Sequence, residues 1–255
     1  MTVNIEQIKE LREMTGVSMS ACKSALEEAN GDMDKAIDVL RKKGEAKAVD
    51  RAARETHQGV VSMKAEGNKV AMAALLCETD FVARGEDFNS VVDLLAQKLL
   101  DGSLKPEDTE VPEVKELVLK AGENIRIGKM ALVEGENVGT YIHTNKKIGV
   151  IISLEGGTSE IAKDVAMHAA ATNPACVSPD EVPQEAVDKE KEIWREQLAK
   201  EGKPAEIVEK IMMGKEKKFR EENALLKQQF VKNPEQTIEQ VLAGATIKTF
   251  VRIAV

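Results

Sequence analysis

The fold turns on one stretch: Gly59-Val60-Val61-Ser62-Met63-Lys64-Ala65, then Glu66-Gly67-Asn68, then Lys69-Val70-Ala71-Met72-Ala73-Ala74-Leu75-Leu76-Cys77-Glu78. Upstream of Gly59 the apolar residues follow a helical period. Within the stretch they alternate and then run continuously, as strands do. Two such runs around a Gly-Asn turn predict a β-hairpin, Val60–Ala65 with Lys69–Glu78.

Downstream, the spacing predicts helices over Asp87–Asp101 and Val111–Ala121 and strands over Ile125–Val133 and Val138–Thr144. The last of these opens a second copy of the pattern. Gly139 begins a strand that reaches the polar turn Asn145-Lys146-Lys147. Ile148–Glu155 returns, and a helix follows over Ser159–Thr172. The order hairpin, loop, helix recurs some 80 residues on, from Gly59 to Gly139. Separated hairpins and helices imply an α+β fold with a duplicated core.

Upstream, residues 1–44 carry their own punctuation. Asn4, Ser18 and Asp32 stand as caps before three apolar stripes: Ile5, Ile8, Leu11; Cys22, Ala25, Leu26, Ala29; and Ala36, Ile37, Leu40. Gly16, Asn30-Gly31 and Gly44 follow them as stops, so a compact three-helix module is expected. Residues 45–58 read as a helical linker. The core halves are 59–138 and 139–182. Residues 183–222 carry two narrow apolar stripes, Val187, Trp194, Leu198 and Ile207, Ile211, Met212, Phe219, on otherwise charged helices broken at Gly202-Lys203-Pro204. That predicts an antiparallel helical hairpin, either protruding as a contact arm or folded flat. Residues 223–255 return to the core. Asn233-Pro234 precedes a short helix, Glu235–Ala243, and a strand Ile247–Val255 closes a sheet.

Composition excludes several function classes. The net charge is -8 and aromatics are 3% of 255 residues, which suits neither a phosphate backbone nor a base-stacking surface. Arg41-Lys42-Lys43 and Lys215–Arg220 are the basic clusters, and both read as solvated helix faces mixed with glutamate. Neither a membrane span nor a secretory leader is expected. Cys22, Cys77 and Cys176 are far apart and odd in number, so neither a disulfide framework nor a zinc site is indicated, and a reducing cytoplasm fits. No phosphate-binding loop, nucleophile elbow or HExxH pattern occurs. His168 reads as a structural histidine and His57 as a solvated one. With no catalytic constellation, metal site or cofactor expected, the chain reads as a binding protein rather than an enzyme.

The segment Thr79-Asp80-Phe81-Val82-Ala83-Arg84 follows the apolar strand directly. It places a carboxylate and an aromatic together on a loop. Two readings stand: a partner-facing loop, or a helix cap whose Phe81 tucks into the protein's own core.

Three stretches carry a family resemblance. They are Leu11 to Asp32 continuing to Lys35-Ala36-Ile37, Thr79 to Arg84, and Gly122-Glu123-Asn124-Ile125 with His143–Val150 and Ala166-Met167-His168. Together they are similar to the bacterial elongation factor Ts family over essentially the whole length. The resemblance implies a ubiquitin-associated-type N-terminal domain, a duplicated core and a coiled-coil hairpin. It implies a guanine-nucleotide exchange factor for the GTPase elongation factor Tu, in a heterodimer or a dimer of heterodimers, without direct contact to nucleic acid. In that family Phe81 would wedge between GTPase side chains, with Thr79, Asp80, Val82 and Ala83 around it disturbing the magnesium site. Arg12 and Met19 would dock on the nucleotide domain, and the region of His143 would grip another domain. Two positions depart from the family pattern. Ser20 follows Met19 where members often carry a second methionine, and Gly85 follows Arg84 where they often carry asparagine. Some members extend past the closing strand by a helical module whose contacts are not expected here. A scaffold with a ubiquitin-associated-like domain and no exchange activity is the alternative.

Overall fold

The structure, a computed structural model, describes residues 3–15, 17, 19–200 and 204–255, with side chains for all of these except 45–50, 205 and 206. The stop expected at Gly16, the cap expected at Ser18 and the break expected at Gly202-Lys203 lie outside the described residues. The fold is α+β, and the chain divides into two compact units. One gathers Met1–Lys64, Ala71–Leu132 and Ala254–Val255; the other gathers Ala65–Val70 and Val133–Ile253.

The first unit begins with three helices, α1 (Ile5–Thr15), α2 (Met19–Glu28) and α3 (Met33–Arg51). Asn4 caps α1. Its Oδ1 accepts the Glu6 N–H at 3.2 Å, while Gln7 Oε1 accepts the Asn4 N–H at 3.3 Å, a reciprocal arrangement that satisfies two end groups. Gly31, at φ 84°, sends its N–H back to Leu26 O at 2.8 Å and closes α2. Asp32 Oδ1 accepts the Lys35 N–H at 3.1 Å and opens α3. The helices bury Ile8, Leu11, Cys22, Ala25, Leu26 and Ala36 against one another.

The expected stop at Gly44 does not occur: α3 continues to Arg51, so the first half of the expected helical linker belongs to it. Glycine serves a different purpose there. A Cβ at Gly44 would stand 2.3 Å from Leu119 Cδ2 on α6 (Pro112–Ala121). α3 and α6 pass closely there, and an alanine, which would favour the helix interior by about 1 kcal/mol, would first have to turn the Leu119 side chain aside.

The hairpin forms as read, β1 (Gln58–Glu66) and β2 (Lys69–Cys77), turning at Gly67 with φ 58°. β3 (Ile125–Glu134) lies beside β2, giving the order β1-β2-β3. Between them in sequence come a single helical turn, α4 (Asp80–Ala83), then α5 (Glu86–Leu100) and α6. Ala71, Ala73, Leu75 and Cys77 on β2 meet Phe88, Val92, Leu95 and Leu99 of α5 and Val114 and Leu117 of α6. The small side chains on the strand let long ones from the helices interdigitate.

The second unit repeats the plan. β4 (Asn137–Ile142) and β5 (Ile148–Glu155) pair antiparallel with Gly139 opposite Ile152, and β8 (Thr246–Ala254) lies beside β5. α7 (Ser159–Thr172) is capped by Thr158, whose side chain accepts the Ile161 N–H. It packs Ala162, Val165, Ala166 and Ala169 against Val150, Ile152 and Leu154. In each sheet the third strand sits beside the hairpin's second strand, with helix between them in sequence.

α8 (Gln184–Lys200) and α9 (Ala205–Asn223) pack together through Trp194 and Phe219, ring centroids 5.9 Å apart. Lys215 Nζ lies 5.7 Å over the indole, and Lys191 pairs with Glu216 at 2.6 Å. The basic run 215–220 is thus interleaved with carboxylates. Farther on, Asn233–Thr237 is β7, paired with β6 (Gln229–Phe230), and the short helix starts only at Ile238 as α10 (Ile238–Leu242). The later start follows from Thr237 and Gln240, which form a capping box there.

Candidate partner interface

Thr79 leaves β2 in an extended conformation, φ -119° and ψ 155°, and caps α4 by accepting the Val82 N–H on its hydroxyl. Arg84 N–H returns to Asp80 O at 3.1 Å and Gly85 N–H to Val82 O at 3.0 Å. From α5, the Asn89 amide donates to Ala83 O at 3.0 Å and Gly85 O at 2.9 Å. These bonds take up the carbonyls that a one-turn helix cannot satisfy itself.

The same turn sorts its side chains. Ala83 is buried and Val82 packs against the core of the first unit. Phe81 points away from it and is 83% exposed, so the reading in which it tucks into its own core does not hold. Asp80 Oδ2 pairs with Arg84 Nη2 at 2.8 Å at the surface. Phe81 is the most exposed of the large apolar side chains among the described residues, ahead of Met213 at 72% and Ile5 at 62%, and it stands on a turn whose backbone is bonded at both ends.

Sequence reasoning missed what holds this turn from beneath. α6 ends at Gly122 in the left-handed region, φ 73°, and Glu123 follows. Both carboxylate oxygens of Glu123 grip Thr79: Oε1 accepts its hydroxyl at 2.6 Å and Oε2 its backbone N–H at 3.1 Å. Next to it, Glu78 Oε1 accepts the Asn124 N–H at 2.6 Å. The Asn124 amide donates to Arg54 O at 2.7 Å and Ala52 O at 3.3 Å. Gly122-Glu123-Asn124 stood out in the sequence only as one of the stretches that carry the family resemblance. Nothing in it told of a partner 44 residues away.

The other expected contact residues lie elsewhere. Arg12 is exposed on α1, and Met19 opens α2 half-buried against the three-helix core. His143 belongs to the second unit, in the turn joining β4 to β5. Its N–H bonds Ile148 O at 2.9 Å, and Tyr141 Oη lies 3.1 Å from its Nδ1. The structure brings Thr79 to Ala83 together in one element, and leaves Arg12, Met19 and His143 on three others.

His168 is structural, as its neighbours suggest. It is fully buried on α7, its Nδ1 accepts the Val231 N–H at 3.3 Å, and its Nε2 faces Gln228 Oε1 at 3.0 Å. The first bond fixes the tautomer, so Nε2 carries the proton. Burial pushes its pKa below the ordinary 6.5, with the Gln228 bond opposing.

Comparisons with known proteins point to one family. The family model described as elongation factor TS matches residues 78–255. Elongation factor Ts of Hydrogenobaculum sp. is 43% identical, covering 100% of this chain and 99% of the relative. That of Alcanivorax borkumensis is 47% identical, covering 97% and 92%. That of Deinococcus deserti is 42% identical, covering 98% and 99%. With the clamped turn and exposed Phe81 inside the matched region, and relatives aligned over nearly their whole lengths, the chain belongs to the elongation factor Ts family.

Proposed function

We propose that Thr79–Ala83 is the element with which this protein disturbs the magnesium and phosphate site of elongation factor Tu. A member of the elongation factor Ts family serves translation elongation as a nucleotide exchange factor. It catalyses no bond-making of its own and acts by binding. It must hold the empty GTPase more tightly than the loaded one, and by linkage its binding then weakens GDP by the same factor. GDP depends on a magnesium ion between its phosphates and the protein, so shifting the supports of that ion releases it.

The observation that carries the reading is Phe81, 83% exposed on a turn bonded on every side. A phenylalanine that is exposed when free and buried in the complex supplies about 2 kcal/mol, or roughly thirtyfold if that contact forms only in the strained, nucleotide-free complex. Arg12 and Met19, on the helical module of ubiquitin-associated type, and His143 in the second unit provide the remaining grip. α8 and α9 form the coiled-coil arm. The assembly is a heterodimer or a dimer of heterodimers, and the net charge of -8 suits a protein partner rather than a nucleic acid.

Release of a fluorescent GDP analogue from elongation factor Tu tests this. Wild-type protein accelerates it strongly, and Asp80→Ala/Phe81→Ala loses most of the acceleration. Full acceleration by the double variant would move the mechanism off the turn. No acceleration by folded wild-type protein would leave a scaffold role in its place.

A further inference from the structure

We propose that Glu123 is a positioning residue for nucleotide exchange, clamping Thr79 so that Asp80 and Phe81 are presented at one fixed angle. The inference rests on the turn Thr79–Ala83 being the element that acts on the GTPase.

A wedge works only if its own support is stiffer than what it displaces. A turn of four residues has no such stiffness by itself, because one helical turn fixes several dihedrals for a single internal bond. Its far end is tied down by Asn89 from α5. Its near end is Thr79, at the mouth of β2, whose carbonyl accepts the Cys77 thiol at 3.1 Å and whose N–H and hydroxyl are both held by Glu123. The two bonds are not redundant. The bond to the backbone N–H sets the direction in which the chain leaves the strand. The bond to the hydroxyl sets the side-chain rotamer, and that rotamer aims the oxygen that caps Val82. A carboxylate offers each donor its own acceptor oxygen, whereas a glutamine amide has one acceptor oxygen and an NH2 in place of the other.

Glu123 has a rigid footing of its own. It follows the left-handed Gly122 that ends α6 and precedes Asn124, whose backbone N–H is held by Glu78. The Asn124 side chain reaches Ala52 and Arg54, in the stretch between α3 and β1. Residues 78–79 and 123–124 therefore form a two-rung latch. One rung stiffens the turn; the other ties it to the segment that leads from the three-helix module.

The conservative test is Glu123→Gln. The amide keeps one acceptor and sets an NH2 against the other donor, so one rung bond is lost while volume is conserved. A charge-assisted bond of this kind corresponds to about tenfold. We expect the GDP release rate at saturating exchange factor to fall about tenfold, with half-saturating concentration and melting temperature almost unchanged. Amide hydrogen exchange should speed up at Thr79 and Val82 and stay unchanged along β2 and α5. Thr79→Val removes the hydroxyl rung from the other side and should slow release similarly. The double variant should be no slower than the slower single one, because both act through the same bonds. A full-rate Glu123→Gln, or multiplied losses in the double variant, would overturn the clamp. Uniformly faster amide exchange with a lowered melting temperature would also overturn it, since that marks ordinary stabilisation. A Phe81→Ala control separates the two levels. If it releases GDP at the wild-type rate, the turn reading fails. If it is slow while Glu123→Gln is fast, only the clamp fails.

Discussion

Replacing Gly139 by alanine should damage the second unit far more than one methyl group suggests. Gly139 sits in β4 where α7 crosses it. An added Cβ would stand 2.0 Å from Lys163 N and 2.1 Å from the Ala162 carbonyl carbon. Carbon contacts settle near 3.5 Å, so the strand or the helix must retreat by about 1.5 Å. Both neighbours are helix backbone, so no side chain can rotate out of the way. Retreat would loosen Ala162, Ala166 and Ala169 from Val150 and Ile152, the seam that joins helix to sheet. Overpacking usually costs 1–3 kcal/mol, and backbone on the receiving side puts this case near 3 kcal/mol. The reduced freedom of the unfolded chain returns less than about 1 kcal/mol. Trp194, the single tryptophan, is buried in the same unit and reports its unfolding by fluorescence. The urea midpoint should drop by roughly 1–2 M at an unchanged slope. Gly214→Ala is the internal control. Gly214 lies inside α9 with nothing within 4 Å of an added Cβ, so alanine there should raise stability by up to about 1 kcal/mol. A Gly139→Ala midpoint within about 0.3 M of wild type, or equal losses at both positions, would refute the close-approach account.

Two further outcomes follow from side chains already described. Phe81→Ala should leave folding stability within about 0.5 kcal/mol of wild type in urea unfolding, since the ring is 83% exposed and supports no core; a larger loss would show the ring to be packed in solution. Burial holds His168 neutral, with a folded pKa below the unfolded 6.5. The unfolded chain therefore binds the extra proton first, and stability declines as pH falls from about 6.5 to the depressed folded pKa. His168→Gln should flatten that part of the pH profile, measured as urea midpoints from pH 7.5 to 5, and an unchanged slope would exclude His168 as its source.

Much of this was legible because local chemistry decided it. Asn4 and Asp32 announce helix starts, and both bond the expected backbone N–H groups. The hairpin around Gly67 and the strand at Ile148–Glu155 were readable from period alone. The failures have a common cause. Gly44 looks like a stop, yet the helix runs through it and passes the Leu119 side chain, 75 residues away. Asn233–Thr237 looked like a helix entrance, but pairing with β6 claims it and leaves the cap to Thr237. At the site, Thr79 and Phe81 could be singled out from sequence. Their orientation could not, because Phe81 faces outward only once Val82 and Ala83 are anchored inward. The latch joins residues 44 and 46 apart, and no period or spacing carries such a pairing.

The order β4-β5-β8 also sets a schedule for synthesis. β5 ends at Glu155, while the strand that covers its second edge begins at Thr246. A ribosome adding 5–20 residues per second needs roughly 5–20 s to make the intervening stretch. Throughout that interval Ile148-Gly149-Val150-Ile151-Ile152-Ser153-Leu154, an apolar and uncharged run, has one side open to any passing strand. The nascent chain is most exposed to misassociation late in translation, and slow codons after residue 155 would lengthen that exposure.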